Sequence, residues 1–414
     1  MIEAIARRFV RVGNLTLIDA QDRKSRFGDG SGPAVTVKLH GRFTALKIAL
    51  QPTLMLGECY MNGTLEVVGG DVYAFLELIG RNFDHDPIRQ HRQSWPRRVW
   101  FSFLRRIRQI NGRIQAQRNI HVHYDISNDL YRRFLDPDMQ YSCAYFARPD
   151  MPLDEAQIAK KAHIAAKLLL ESHHRVLDIG CGWGGLGLTL ASYVPEGGVT
   201  GVTLSEEQLA LAQERSAARV SAGMQGADFR LQDYRDVAGP FDRIVSVGMF
   251  EHVGQPNYQE YFDQIARLLT EDGVAVVHSI GRKDEPGLTN PFIAKYIFPG
   301  GYIPALSEVL PHIERAGLWV TDVEILRLHY AETLKAWRVG FAADRDAIRA
   351  IHDEQFCRMF EFYLAVSEIA FRFGGHMVFQ LQLTRRIDAA PITRDYIYEG
   401  EREIVRQPKM RVAR

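Results

Sequence analysis

The segment Val176-Leu-Asp-Ile-Gly-Cys-Gly-Trp-Gly-Gly-Leu-Gly187 constrains the fold of this chain more than any other. A short apolar run ends on a carboxylate and enters a glycine-dense turn, which lets backbone approach a ligand at the carboxyl edge of a sheet. Further apolar runs recur at helix-length intervals, from Gly198 to Thr203, Asp242 to Val247 and Gly273 to His278. Strands alternating with helices build a parallel sheet covered by helices. The expected class is α/β, with a Rossmann-like domain at its centre.

Glycine spacing alone does not name the ligand, because Gly180, Gly182 and Gly185 also fit a dinucleotide fingerprint. Asp178 is more telling. A carboxylate just before the first glycine is poorly placed for a pyrophosphate, yet it can attract the α-ammonium of a methionine moiety. The second strand runs into Thr203 with no acid for a nicotinamide dinucleotide ribose. S-adenosylmethionine is the cofactor these features favour, which makes the domain a class I methyltransferase domain.

The length of 414 residues calls for two domains. Residues 1–86 read as a small mixed α+β domain for lipid docking or scaffolding, with period-2 alternation over Ala34–Leu39 and Thr64–Val68. Gly57–Met61 with Asn62-Gly63 is expected to form a tight turn. Residues 87–120 form a basic linker. Nine arginines and no acidic residue fall between Pro87 and Arg118, and Val99, Trp100, Phe103, Leu104, Ile107, Ile110 and Ile114 mark an amphipathic helix starting at Pro96. Such a helix suits an anionic membrane surface, or equally the covered face of an inter-domain packing. Residues 121–388 hold the sheet domain, with a helical cap inserted at about 330–374, and 389–414 read as a tail without periodicity. No run is long and apolar enough to span a bilayer, and the N-terminus lacks a signal-peptide pattern, so the expected location is cytoplasmic. The four cysteines, Cys59, Cys143, Cys181 and Cys357, suit reduced thiols. His121 and His123 are read as packing residues, with no metal expected.

Several motifs occur in an order that resembles the cyclopropane-fatty-acid synthases and mycolic acid cyclopropane synthases. They are Tyr124–Asp129, Met139–Phe146, the glycine loop, Thr203–Gln208, Gln232–Asp236, Ser246–Gly254 and Phe298–Gly301. The resemblance covers nearly the whole chain, more loosely over residues 1–86. It implies methyl transfer from S-adenosylmethionine to the cis double bond of unsaturated acyl chains in membrane phospholipids, closing a cyclopropane ring. It places the cofactor on Tyr141 and Ser142, on Gly180, Cys181 and Gly182, on Thr203, Leu204, Ser205, Glu206, Glu207 and Gln208, and on Asp233 and Tyr234, with Asp178 added from the residues themselves. Gln208, Thr203 and Ser205 can serve a ribose, while Asp233 and Tyr234 can hold an adenine.

The sulfonium donor needs no strong nucleophile. The need is for a dry pocket and a base to take the proton lost after methyl transfer. The resemblance implies a bicarbonate base, caged by the Cys143 backbone, Glu251, His278 and Tyr330. A fifth position departs from the family, with Ser367 where a cysteine is usual and Glu368 beside it. Glu368 either enters the pocket and replaces bicarbonate or pairs with a cation such as Arg372. Tyr141, Tyr145, Phe146, Phe250, Tyr261, Tyr330 and Phe362 partly line an acyl tunnel or simply fill the core. The rival product is a methylene- or methyl-branched chain. A nucleic-acid methyltransferase is disfavoured, because Val247 is followed by Gly-Met-Phe-Glu-His where that class carries a proline-containing loop; no nucleic-acid partner is expected. The resemblance also suggests a homodimer, held peripherally on the inner face of the membrane.

Overall fold

The computed structural model describes residues 2–83 and 128–406, in two compact units. The expected helix after Pro96 and the pair His121 and His123 lie outside the described residues. The sheet unit comprises 128–286, 300–330 and 377–406. Its strands are β5 (Val176–Ile179), β6 (Val199–Thr203), β7 (Asp228–Leu231), β8 (Phe241–Val247), β9 (Leu269–Arg282), β10 (Trp319–Leu326) and β11 (His376–Thr384, whose first residue falls in the other unit). They run in the order β10-β11-β9-β8-β5-β6-β7.

From β9 to β7 the paired strands are parallel, and β10 is antiparallel to β11. Every residue of β5 is buried, as a strand covered on both faces requires. β7 escaped the reading because only Phe229 on it is buried, leaving no apolar run. Residues after Arg386 are not the expected tail. Asp395–Arg406 is helical and buries Ile397, and Gly400 approaches Ala166 so closely that a side chain there would crowd it.

The other unit holds described residues 2–83 with 287–299 and 331–376. Its sheet has the order β2-β1-β3-β4, from β1 (Asn14–Ile18), β2 (Lys24–Phe27), β3 (Ala34–Leu39) and β4 (Leu65–Val68). Alternating burial along β1 and β3 leaves a single apolar face. That face explains a correction to the domain reading. The helix Glu354–Arg372 presents Phe362, Ala365 and Ile369 at helical spacing, and these share one core with Val37, Leu65 and Phe75. Residues 331–376 therefore form a unit with the N-terminal sheet, not an insertion within the sheet domain. They are also three helices, His329–Ala343, Arg345–Ile351 and Glu354–Arg372, not one. Gly57–Met61 is not a turn but the end of helix Pro52–Met61. Gly57 is there for close approach, since a Cβ would strike the Phe292 ring.

Candidate active site

One cleft opens at the carboxyl ends of β5, β6 and β8. It is lined by Tyr141, Ser142, Asp178, Gly180, Cys181, Thr203, Leu204, Gln208, Asp233 and Tyr234 among the residues singled out in the sequence. Gly180 has φ +81°, and a Cβ there would lie 2.8 Å from the Met249 side chain, so the first turn after β5 needs a glycine twice over. Gly182, Ser205, Glu206 and Glu207 do not contribute to this lining. Ser205 instead caps helix Glu206–Ser221, its Oγ accepting from the Gln208 N–H at 3.3 Å. Glu206 and Glu207 are exposed in the first turn, where carboxylates complement the helix dipole.

Polar groups in the cleft are held in place before any ligand arrives. Thr203 Oγ1 donates to Gln208 Oε1 at 3.2 Å and accepts from the Ser205 N–H. Both Asp233 oxygens are taken by Arg235, at 2.8 and 2.6 Å, so the carboxylate is fixed in orientation. Arg235, Gln140, Trp183, Met249 and His252 also line the cleft and were not singled out. Arg235 and His252 sit inside the quoted motifs, but only their direction into the cleft marks them, and sequence carries no such signal. Burial pushes His252 down to about 4.

Asp178 is the unusual group. It is 2% exposed, and its Oδ2 has no hydrogen-bond partner among the described residues. Burial pushes its carboxyl up to about 7, opposed by Lys160 and by the Gly187 N–H. A buried carboxylate in this condition is completed by a cation. Together with a directional polar set at the second strand, that fits the ammonium and ribose of S-adenosylmethionine.

Glu251 follows the end of β8, whereas His278, expected at a strand end, lies inside β9, which continues to Arg282. Val247 of β8 pairs with His278 of β9, and the Gly248 N–H donates to the His278 carbonyl at 2.9 Å. Glu251 follows in the short turn Phe250–His252; its Oε1 accepts from the Ile280 N–H at 2.7 Å, while Oε2 is buried without a partner. Burial pushes Glu251 up to about 7 and His278 down to about 3, so His278 is neutral. The Gln380 amide donates to His278 Nδ1 at 3.0 Å, which leaves Nε2 as the N–H. Cys143 is buried, with its thiol donating to the Ala144 carbonyl at 3.3 Å. Tyr330 follows His329, whose Nδ1 accepts from the Phe146 N–H at 3.0 Å. Tyr145 stacks between His163 and His329, and Phe250 and Tyr261 are fully buried core residues.

The family model for mycolic acid cyclopropane synthetase matches residues 111–381. The chain belongs to that family. A model described as a domain of unknown function matches residues 9–85. The cyclopropane-fatty-acyl-phospholipid synthase of Escherichia coli K12 is 38% identical over 379 residues, 89% of this chain and 93% of its own. The tuberculostearic acid methyltransferase of Mycobacterium tuberculosis is 37% identical over 82% of this chain and 81% of its own. Among solved structures, a mycolic acid cyclopropane synthase complexed with SAH and CTAB superposes with TM-score 0.60 at 36% identity, covering 64% of this chain and 97% of that one. A coclaurine N-methyltransferase bound to SAH, 20% identical with TM-score 0.66, shares the class I methyltransferase fold.

Ser367 and Glu368 read in the sequence as a departure from the family's pattern. Ser367 and Glu368 lie on helix Glu354–Arg372, in the unit with the N-terminal sheet. Glu368 is 1% exposed. Its Oε2 accepts from Arg338 Nε at 3.1 Å and its Oε1 from Arg372 Nε at 2.8 Å. Arg372 also reaches Glu332 at 2.9 Å. Of the two readings of Glu368, the paired one matches this geometry, because both oxygens accept from guanidinium donors.

Proposed function

We propose that the protein is a cyclopropane-fatty-acyl-phospholipid synthase, acting on cis double bonds of unsaturated acyl chains in membrane phospholipids. The observation that carries this reading is the buried Glu251, whose Oε2 has no partner among the described residues, after the end of β8, with a neutral His278 on β9 opposite the last residue of β8, in a chain of this family. S-adenosylmethionine, held by Tyr141, Ser142, Asp178, Gly180, Thr203, Leu204, Gln208, Asp233 and Tyr234, supplies the activated methyl group. The alkene gains one carbon, loses one proton from the added methyl and closes to a ring.

Bicarbonate fits the other set of residues and would supply the proton-accepting oxygen. Glu251, Tyr330, His278 and the Cys143 backbone would hold it. Burial keeps a large share of Glu251 protonated near neutral pH, so Oε2 can donate to an oxyanion, as can the Nε2–H of His278 and the Tyr330 hydroxyl. All members of that cage are donors, which is what an anion requires. Glu368 holds its own unit together and takes no part. Glu251→Leu, which removes the donor that glutamine would keep, tests this division of labour on unsaturated phospholipid vesicles. Turnover should fall at least about a hundredfold while the affinity for S-adenosylmethionine stays within about twofold; normal turnover would remove Glu251 from the chemistry.

A second product is kept open by a relative named a probable fatty acid methyltransferase, of Pseudomonas putida, 42% identical over 262 residues. A branched chain needs the same pocket and loses its proton from a different carbon. Peripheral attachment to the inner face of the membrane is supported by a stripe on the N-terminal unit. Phe43, Leu46 and Leu50 follow one another at helical spacing and are 58%, 44% and 72% exposed, beside exposed Arg42 and Lys47 and with no acidic residue in that helix. No helix among the described residues is long and apolar enough to cross a membrane. A homodimer is part of the same proposal, by likeness to the family.

A further inference from the structure

The helix Leu153–Lys167 packs its inner face against the loop that carries Gln140, Tyr141 and Ser142 into the cleft. Gln157, fully buried, donates from Nε2 to the carbonyls of Gln140 at 3.2 Å and Ser142 at 3.0 Å. One turn on, Lys160 is also fully buried. Its ammonium donates to Gln140 Oε1 at 2.7 Å and to Ser142 Oγ at 2.9 Å, both neutral acceptors. The nearby acids are engaged elsewhere. Asp138 pairs with Lys161 at 2.6 Å and with Arg215, and Asp136 accepts from the backbone of Asp138 and Gln140.

A fully buried ammonium without a carboxylate in contact is costly unless an anion completes it. Burial indeed holds Lys160 down to about 8. The cleft thus has a buried cation behind Ser142 with only neutral hydrogen-bond acceptors, and a buried carboxylate, Asp178, at the end of β5, whose Oδ2 has no hydrogen-bond partner among the described residues; each feels the other's charge. That pair of opposite charges is complementary to a zwitterionic α-amino acid group.

We propose that Lys160 is a positioning residue for the carboxylate of the methionine moiety, acting through Ser142. A hydroxyl oxygen that accepts from an ammonium turns its own hydrogen away from that donor. Ser142 lines the cleft, so its O–H is presented there as a donor, strengthened by the positive charge behind it. Asp178 takes the ammonium of the same moiety. The sequence offered no such role, since Lys160 reads as one of two adjacent lysines on a helix that would ordinarily be solvated.

The inference rests on S-adenosylmethionine occupying this cleft, and the test separates the two claims. Dissociation constants for S-adenosylmethionine and for its decarboxylated analogue, which keeps the sulfonium and the amine, are measured by calorimetry on the full chain. Wild-type protein should prefer the intact ligand by about tenfold or more. Failure to bind either ligand would overturn the cofactor assignment itself. Lys160→Met should reduce the preference to below about threefold, with affinity for the decarboxylated analogue changed less than about twofold. Equal weakening of both ligands would mean a purely structural lysine and would overturn the proposal, as would an unchanged preference. Ser142→Ala, which leaves the helix packing intact, should lose the preference in the same way. If Lys160→Met does not fold, Ser142→Ala decides alone, and a wild-type preference in that variant refutes the relay.

Discussion

Asp178 and Glu251 are both buried carboxylates pushed up to about 7, but their environments give them different work. In the proposed function Asp178 would meet a cation and act ionised, whereas Glu251 would face an anion and act protonated. For Asp178 the folded value lies above the ordinary 3.8 of the unfolded chain. Its contribution to stability is therefore fully present below the unfolded value and is lost as pH rises through about 7. Cofactor binding reverses that loss by supplying a cation. Affinity for S-adenosylmethionine should accordingly rise between pH 6 and pH 7.5, by up to about tenfold, and the rise should vanish in Asp178→Asn. Calorimetric titration at the two pH values checks it. An equal rise in the variant would assign the titration to another group.

At the scale of elements, Glu368 on the helix Glu354–Arg372 follows the paired one of its two readings, its carboxylate held by Arg338 and Arg372. Removing the charge of Glu368 takes from Arg338 and Arg372 the buried anion they share, leaving Arg372 with Glu332 and Arg338 with Asp71. Glu368→Gln should cost about 3 kcal/mol in urea unfolding, while the folded fraction turns over normally in bicarbonate buffer. Abolished turnover with unchanged stability would restore Glu368 as the base. The sequence made β5, β6, β8 and β9 legible, because buried parallel strands carry strong apolar runs. It could not show β7, with one buried residue, or the helix Asp395–Arg406, whose apolar positions are sparse. The assignment of 331–376 was also out of reach, since an apolar stripe states that it needs a partner and not which one. In the cleft, the glycine turn and Asp178 announced themselves, whereas Arg235, His252 and Lys160 depend on side-chain direction.

For the whole molecule, the proposed substrate resides in a bilayer, while no helix among the described residues is long and apolar enough to cross one. In the proposed function, exposed Phe43, Leu46 and Leu50 on the N-terminal unit, flanked by Arg42 and Lys47, would supply the attachment. Each basic side chain near an anionic surface is worth about 1 kcal/mol, and three inserted apolar side chains add to that. Phe43→Ser, Leu46→Ser and Leu50→Ser together should reduce cosedimentation with anionic vesicles by about tenfold or more while leaving S-adenosylmethionine affinity unchanged. Unaltered cosedimentation would move the docking surface elsewhere on the chain.

The central claim is ring formation on phospholipid acyl chains. Purified protein is incubated with S-adenosylmethionine, bicarbonate and vesicles of cis-unsaturated phospholipid, and the released acyl chains are examined by mass spectrometry and proton NMR. The account predicts chains heavier by one CH2 unit, with the upfield methylene signals of a cis-cyclopropane and loss of the olefinic protons. Unmodified acyl chains, or chains of the same added mass carrying an exocyclic methylene, would contradict it.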